Sequence, residues 1–284
     1  MFKKAKHYWL LIKSLQTALL VLTGLAGYMS ARCPVYNLLT ITGLIASLFL
    51  AVSGSTILNM VWDRDIDARM NRTENRPLPL GLINADEAWR VGIGISVVGL
   101  LWAASLDLSY ALVVFAGLFI DVVVYTMWLK RKTAWSIVWG GVSGGMPILA
   151  GRVLGTGAFD GIGIMFALGI LFWIPTHILT FNIKYAADYA AAEVPTFPST
   201  YGVGTTRIII AVSSLLSALS ILASGLLMDL TMGYLRLIVV LALGLTGLAL
   251  GTLLGESERV NFGLFKYASL FMMTSMFMVI LGAR

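Results

Sequence analysis

The sequence predicts an all-α polytopic membrane protein, a bundle of about nine transmembrane helices, on three observations. Apolar residues make up 58% of the 284 positions and charged residues only 12%, with a mean hydropathy of +0.88. That leaves too little polar surface to cover a water-soluble globule of this length. Apolar stretches close to the roughly 20 residues that cross a hydrocarbon core of about 30 Å recur along the whole chain. The basic residues, finally, crowd into alternate breaks between those stretches, as the positive-inside tendency requires of a multi-pass chain. The chain therefore reads as one integral membrane domain over residues 1–284.

The apolar runs place spans at 9–30, 37–61, 91–106, 108–128, 135–155, 161–182, 207–228, 233–254 and 262–282. The basic opening MFKKAK before an apolar run has the outline of a signal peptide. Lys13 and Gln16 inside the run, and the lack of a small-residue cleavage site, argue instead for a first transmembrane helix with a polar inner face. The single cysteine, Cys33, excludes an internal disulfide or a multi-thiolate metal site and is read as a packing or loop residue.

An odd number of spans puts the termini on opposite sides. One side then collects Lys3, Lys4, Lys6, Arg64, Arg69, Arg72, Arg76, Arg90, Lys130, Arg131, Lys132, Lys184, Arg207, Arg259 and Lys266, against Arg32, Arg152, Arg236 and Arg284 on the other. The crowded side, which includes the N-terminus, is expected to be cytoplasmic. The net charge of +6 is then a property of topology, and no nucleic-acid partner is expected. Two breaks on that side, 62–90 and 183–206, are long and polar; the others are short.

The first long break opens with LNMVWDRDIDARMNRTENRPLPLG, residues 58–81. Asn59, Asp63 and Asp67 are four apart, so on a helix their oxygens line one face, while Asp65 points elsewhere. Mg²⁺ takes oxygen ligands and commonly completes its shell with water and substrate phosphate, which suits a metal–diphosphate complex. Arg72 and Arg76 repeat the spacing, and guanidinium groups match phosphate oxygens bidentately. Pro77 limits any continuation of the helix.

The second region is FWIPTHILTFNIKYAADYAAAEVPTFPSTYG, residues 172–202. Intervals of seven and four put His177, Lys184 and Asp188 on one helical face, with Pro175 predicted to kink the span just before His177. Asp188 is expected to hold a second Mg²⁺ and Lys184 to neutralise phosphate. His177 reads either as an interhelical hydrogen-bonding group or as a contact to a substrate inside the bundle.

The third, VVVYTMWLKRKT at 122–133, offers the Tyr125 hydroxyl one turn inside the membrane and Lys130 and Arg131 at its exit. Those two cations serve phosphate contact or ordinary interfacial anchoring. Asp121 lies deeper and requires a partner or a water-filled cavity. The glycines of IVWGGVSGGMPILAGR read as sites of close helix approach.

A carboxylate–Mg²⁺ site ringed by cations at the mouth of an apolar bundle suits an isoprenyl diphosphate, its head on the metal and its tail among the helices. The expected chemistry is ionisation of the allylic C–O bond and alkylation of a lipophilic acceptor behind walls that exclude water. The pattern Asn59-x-x-x-Asp63-x-x-x-Asp67, with the strings YTMWLKRKT, IVWGGVSGGMPILAG and FWIPTHI…IKYAADYAAAEVPTFP, resembles the UbiA superfamily of intramembrane prenyltransferases, and within it the haem-type branch. The resemblance covers about residues 55–205.

It implies nine helices around a central cavity, and diphosphate-bound Mg²⁺ on Asn59, Asp63 and Asp67. It also implies Arg72, Arg76, Lys130 and Arg131 near phosphate, and Asp188 as the second acidic position. The implied acceptor is protohaem IX, with phenolic, quinone-precursor or glycerol-phosphate acceptors as alternatives from the same superfamily. Thr176 before His177, Ile148 after Pro147, and Arg152 where that branch has tryptophan are departures that bear on the acceptor. Outside this chemistry, a transporter or a haem-binding membrane protein is the competing class.

Overall fold

The computed structural model describes residues 2–31, 37–255 and 257–283. The readings of Arg32, Cys33 and Arg284 therefore lie outside the described residues. Among those described, all regular structure is helical: α1 (Phe2–Leu11), α2 (Ser14–Met29), α3 (Leu38–Trp62), α4 (Arg64–Asp67), α5 (Ala85–Leu106) and α6 (Leu108–Phe119), which runs on as a π-helical segment, Ile120–Leu129. Then follow α7 (Ser136–Thr156), α8 (Gly161–Lys184), α9 (Ala186–Ala191), α10 (Phe197–Leu227), α11 (Met232–Leu254) and α12 (Glu258–Gly282). Eight of these units are long and apolar enough to cross a membrane, or up to nine if the bent pair α1–α2 counts as one span.

That first span is not the continuous helix expected over 9–30. Its two halves meet at 52°, with Lys13 at the hinge in the left-handed region, φ 47°. A break inside a bilayer is tolerated only where the freed backbone groups find partners. Here the Ile12 carbonyl accepts from Thr17 Oγ1 at 2.6 Å and from Thr56 Oγ1 at 3.3 Å.

The remaining starts follow from capping side chains. Asn84 accepts from the Asp86 and Glu87 amides at 2.8 and 3.2 Å and starts α5 before the expected residue 91. Asp107 does the same for α6 through Tyr110, and Asp160 for α8 through Gly163. Thr196 and Ser199 form a capping box that starts α10 ten residues before the apolar run. Gly202, φ 83°, interrupts that helix below the apolar part.

Packing runs α2–α3–α5–α6–α7–α8–α10–α11–α12, with α12 closing back on both α8 and α2, and α7 also lying along α2. One buried cluster joins α8, α10, α11 and α12 through residues such as Phe166, Ile210, Leu245 and Phe271; a second joins α2, α3, α6 and α7 through Leu48, Tyr110, Val114 and Ala150. The glycines of α7 are packing glycines, as read from the sequence. A methyl on Gly145 would fall 2.8 Å from the Ala167 carbonyl of α8, and one on Gly151 would overlap the Gly24 carbonyl of α2. Only residues without a Cβ let the backbones approach so closely.

Arg152 joins three helix ends. It is buried, donates to Asp160 Oδ2 from Nε at 2.9 Å and Nη2 at 2.6 Å, and reaches Ser30 Oγ and the Ser30 carbonyl from Nη1. It staples the ends of α2, α7 and α8 together, about 24 Å along α7 from Ser136 by helical rise.

Candidate active site

α3 stops at Trp62, Asp63 sits at φ −87°, ψ 3°, and α4 follows. The four-residue repeat survives that turn, because the Asp63 amide bonds the Asn59 carbonyl at 2.9 Å and the Asp67 amide bonds the Asp63 carbonyl at 2.8 Å. Past Asp67 the chain leaves the helix, which corrects the expectation that Arg72 and Arg76 continue its face. Thr73 Oγ1 takes the Asp67 carbonyl at 2.9 Å, and turns carry the chain back so that Arg76 Nη1 reaches Asp67 Oδ2 at 2.8 Å. A loop thus achieves the Arg–Asp proximity that helical spacing suggested.

Asp63 and Asp67 are 7% and 6% exposed. Asp63 Oδ2 accepts from Lys130 Nζ. Burial alone would lower the Lys130 pKa; the Asp63 carboxylate outweighs it and holds the ammonium above its ordinary range. Arg131 is engaged elsewhere: it forks onto the exposed Asp65 with two bonds of 2.7 Å and caps the Trp62 carbonyl at 2.8 Å. The guanidinium hydrogen bonds hold the Asp65 carboxyl below the usual carboxylate range.

Lys13, at the hinge of the first span, lies within electrostatic reach of Asp63, Asp67, Arg76 and Lys130. In the sequence Lys13 marks, with Gln16, a polar inner face of the first span, and a lysine inside an apolar run is the signal that places it near a site. Tyr125 lies in the π-helical segment, its ring against Gly140 and 5.8 Å from Lys130 Nζ.

The second motif comes apart. α8 ends at Lys184 and Tyr185, φ −109°, ψ 32°, separates it from α9, so Lys184 and Asp188 do not share a helix. Lys184 is exposed and sits 3.4 Å from the centroid of the Phe262 ring on α12. Asp188 is buried and meets the first motif instead, accepting from Asn71 Nδ2 and the Arg72 amide, both at 3.4 Å. The Arg72 guanidinium lies 4.9 Å from the Phe181 ring centroid and 5.8 Å from that of Tyr185.

α8 continues through Pro175 as one helix. His177 is stacked between Trp173 at 4.8 Å and Phe265 at 4.3 Å, and its Nδ1 is 3.3 Å from Ser269 Oγ of α12. Beside it, Trp173 and Ser269 also line a small apolar recess, walled by Leu19 and Leu22 of α2 and by Met272 and Met276 of α12.

Two buried oxygens on the motif's face have no hydrogen-bond partner, Asn59 Oδ1 and Asp63 Oδ1. Buried polar atoms are rarely left unpaired, and an oxygen pair one turn apart fits a hard divalent cation. Among the described residues no three acidic or histidine side chains close into a ready-made metal cage. The carboxylates are instead held singly, Asp63 by Lys130, Asp67 by Arg76 and Asp188 by Asn71 and Arg72. Such an arrangement is suited to an ion that arrives with phosphate oxygens of its own.

The model of the UbiA prenyltransferase family matches residues 20–272. The chain belongs to the UbiA prenyltransferase family. UbiA membership makes it a membrane prenyltransferase and removes the transporter reading. The chain is 41% identical over 227 residues to protoheme IX farnesyltransferase of Archaeoglobus fulgidus, covering 80% of this chain and 79% of that one. It is 36% identical over 276 residues to the protein of the same name from Thermofilum pendens, covering 96% of each.

Among solved UbiA-type structures it superposes on digeranylgeranylglyceryl phosphate synthase with a TM-score of 0.81 at 18% identity, over 99% of both chains. A UbiA homolog from Archaeoglobus fulgidus, bound to DMAPP and Mg²⁺, gives 0.73 at 18% identity, over 96% of this chain and 99% of that one. At those identities the likeness concerns the fold.

Proposed function

We propose that this UbiA-family chain transfers a farnesyl group from farnesyl diphosphate to a vinyl group of protohaem IX, with Mg²⁺, to give haem O. The observation that carries the donor half is the pair of partnerless buried oxygens, Asn59 Oδ1 and Asp63 Oδ1, among the cations Lys13, Arg76 and Lys130. The acceptor half is supported by the protoheme IX farnesyltransferases at 36–41% identity.

Asn59, Asp63 and Asp67 would hold the metal of the diphosphate, and Asp188 a second one. Bound Mg²⁺ supplies charge neutralisation of the departing diphosphate. Lys13, Arg76, Lys130 and Arg72 add fixed positive charge around the same oxygens, where a low dielectric makes it count. Arg131 acts at one remove, by fastening the end of α3. Lys184, exposed against Phe262, meets phosphate only at the mouth.

Tyr125 and the apolar helices exclude water while the allylic C–O bond breaks, its electron pair leaving on diphosphate. The vinyl π pair then forms the new C–C bond, and the cation left on the acceptor takes up water and releases a proton. The edge of His177 and the recess beside it are the proposed surroundings of the acceptor. The N-terminus and the loops at 62–90, 129–134 and 183–206 are proposed to face the cytoplasm, because the basic residues lie there.

The test incubates the purified chain with farnesyl diphosphate, Mg²⁺ and a panel of protohaem IX, phenolic and glycerol-phosphate acceptors, read by mass spectrometry. Mg²⁺-dependent hydroxyethylfarnesyl haem is expected; prenylation of another acceptor alone would replace the acceptor half.

A further inference from the structure

We infer that Asp121 is a positioning residue, which turns the Asn59 amide so that its oxygen, and never its NH₂, is offered to Mg²⁺. The inference rests on the proposed function and adds a residue to which the sequence assigned no role. Asp121 Oδ2 accepts from Asn59 Nδ2 at 2.7 Å and also from Ser55 Oγ. An oxygen that takes hydrogen bonds from both Ser55 and Asn59 is met by the NH₂ of the amide, the group of Asn59 that can donate. Asn59 Oδ1 is thereby turned away, buried and without a partner, one helical turn from the equally partnerless Asp63 Oδ1.

The outward face of a free amide is otherwise undecided, and an NH₂ presented there would repel a cation that takes oxygen ligands. The backbone delivers Asp121 to this place. It lies in the π-helical segment Ile120–Leu129, whose wide turn is closed by the Lys130 amide on the Tyr125 carbonyl at 2.8 Å. π-helical turns are rare and gather at functional sites. The same segment thus carries both the carboxylate that orients Asn59 and, just after it, the lysine that holds the outer oxygen of Asp63. Ser55 and Asn59, one turn apart on α3, converge on the single oxygen Oδ2.

The experiment titrates Mg²⁺ into the purified full-length chain with farnesyl S-thiolodiphosphate. It reads the Mg²⁺ concentration giving half the thermal stabilisation, with Mn²⁺ binding by EPR alongside; neither readout needs turnover. Asp121→Leu keeps the approximate volume and removes the acceptor, so the Mg²⁺ requirement should rise about 10–100-fold, the usual consequence of losing a partner that orients a ligand. Asp121→Asn keeps an oxygen that can accept from Asn59 Nδ2 and should recover most of that loss.

A Leu variant with the wild-type requirement would overturn the inference. So would Leu and Asn variants that are equally impaired, since the charge rather than the hydrogen bond would then be what acts. If Leu prevents folding, Asp121→Ala takes its place: it should show the same rise in Mg²⁺ requirement, recovered by Asp121→Asn, and a wild-type requirement refutes the orienting role. Asp63→Asn in the same titration separates the two levels. Its failure beside a normal Asp121→Leu removes only this inference, while its normal binding removes the metal assignment itself.

Discussion

Asp63 has one oxygen on Lys130 and the other without a partner, so its carboxylate is asked to do two things. Asp63→Asn should lower kcat/KM at least about 100-fold, the scale of losing one fixed charge-stabilising group. It should also destabilise the chain by roughly 1–3 kcal/mol, because the part-buried Lys130 ammonium loses its carboxylate partner. Asp63→Asn/Lys130→Met should recover the melting temperature without the activity; recovery of both would show that Asp63 matters only as a counter-ion.

His177 presents a different division. Both ring faces are covered, by Trp173 and Phe265, and Nδ1 meets Ser269, so the residue joins α8 to α12. His177→Phe keeps the stack and drops the polar edge. It should melt near the wild-type temperature, bind the donor normally and show a raised KM for the acceptor, measured in paired titrations. A loss of donor affinity with unchanged acceptor KM would overturn the acceptor role, and a lowered melting temperature with every step impaired alike would confine His177 to packing.

At the scale of the helices, the junction of α2, α7 and α8 hangs on Arg152 and Asp160. Burial raises the Asp160 carboxyl, but hydrogen bonds from Arg152 and the Gly163 amide outweigh it and leave the group below the usual carboxylate range. A carboxyl whose folded pKa is depressed stabilises the fold fully above its unfolded value near 4, and that contribution disappears as pH falls through the lower folded value. Asp160→Asn should therefore cost roughly 1–3 kcal/mol near neutral pH. The gap to wild type should close in acid. Melting curves in detergent from neutral to strongly acidic pH provide the check; a gap that persists in acid would assign the loss to geometry rather than charge.

For the whole molecule, cross-contacts put several breaks at one end of the bundle. Lys130 meets Asp63, Asp188 meets Asn71, and Lys4 meets Glu87 at 2.8 Å. With Cys33 replaced, single cysteines at exposed positions such as Glu74, Lys132 and Glu193 should all resist an impermeant thiol reagent applied to intact cells and react after lysis. Labelling of any of them from outside would invert the orientation inferred from the basic residues.

Much of this was written in the sequence. Hydropathy counts the spans because a bilayer imposes one length on every crossing helix. The four-residue repeat of Asn59, Asp63 and Asp67 survives in the fold because backbone bonds between adjacent turns maintain it. The strings between 55 and 205 are enough to resemble UbiA, since they hold the acidic and basic residues that the site brings together.

What the tertiary structure alone decided are relations between residues far apart in the chain. Helical spacing paired Lys184 with Asp188 and extended the first motif to Arg76; the fold broke both helices and joined Asp188 to Asn71 and Arg72, and Arg76 back to Asp67. It turned Lys13 towards the acidic motif and set Asp121 against Asn59 across 62 residues. Periodicity describes one helix at a time. Which cation meets which carboxylate depends on where the loops reverse and how closely glycines let the helices pack, and that is settled only when all of them pack together.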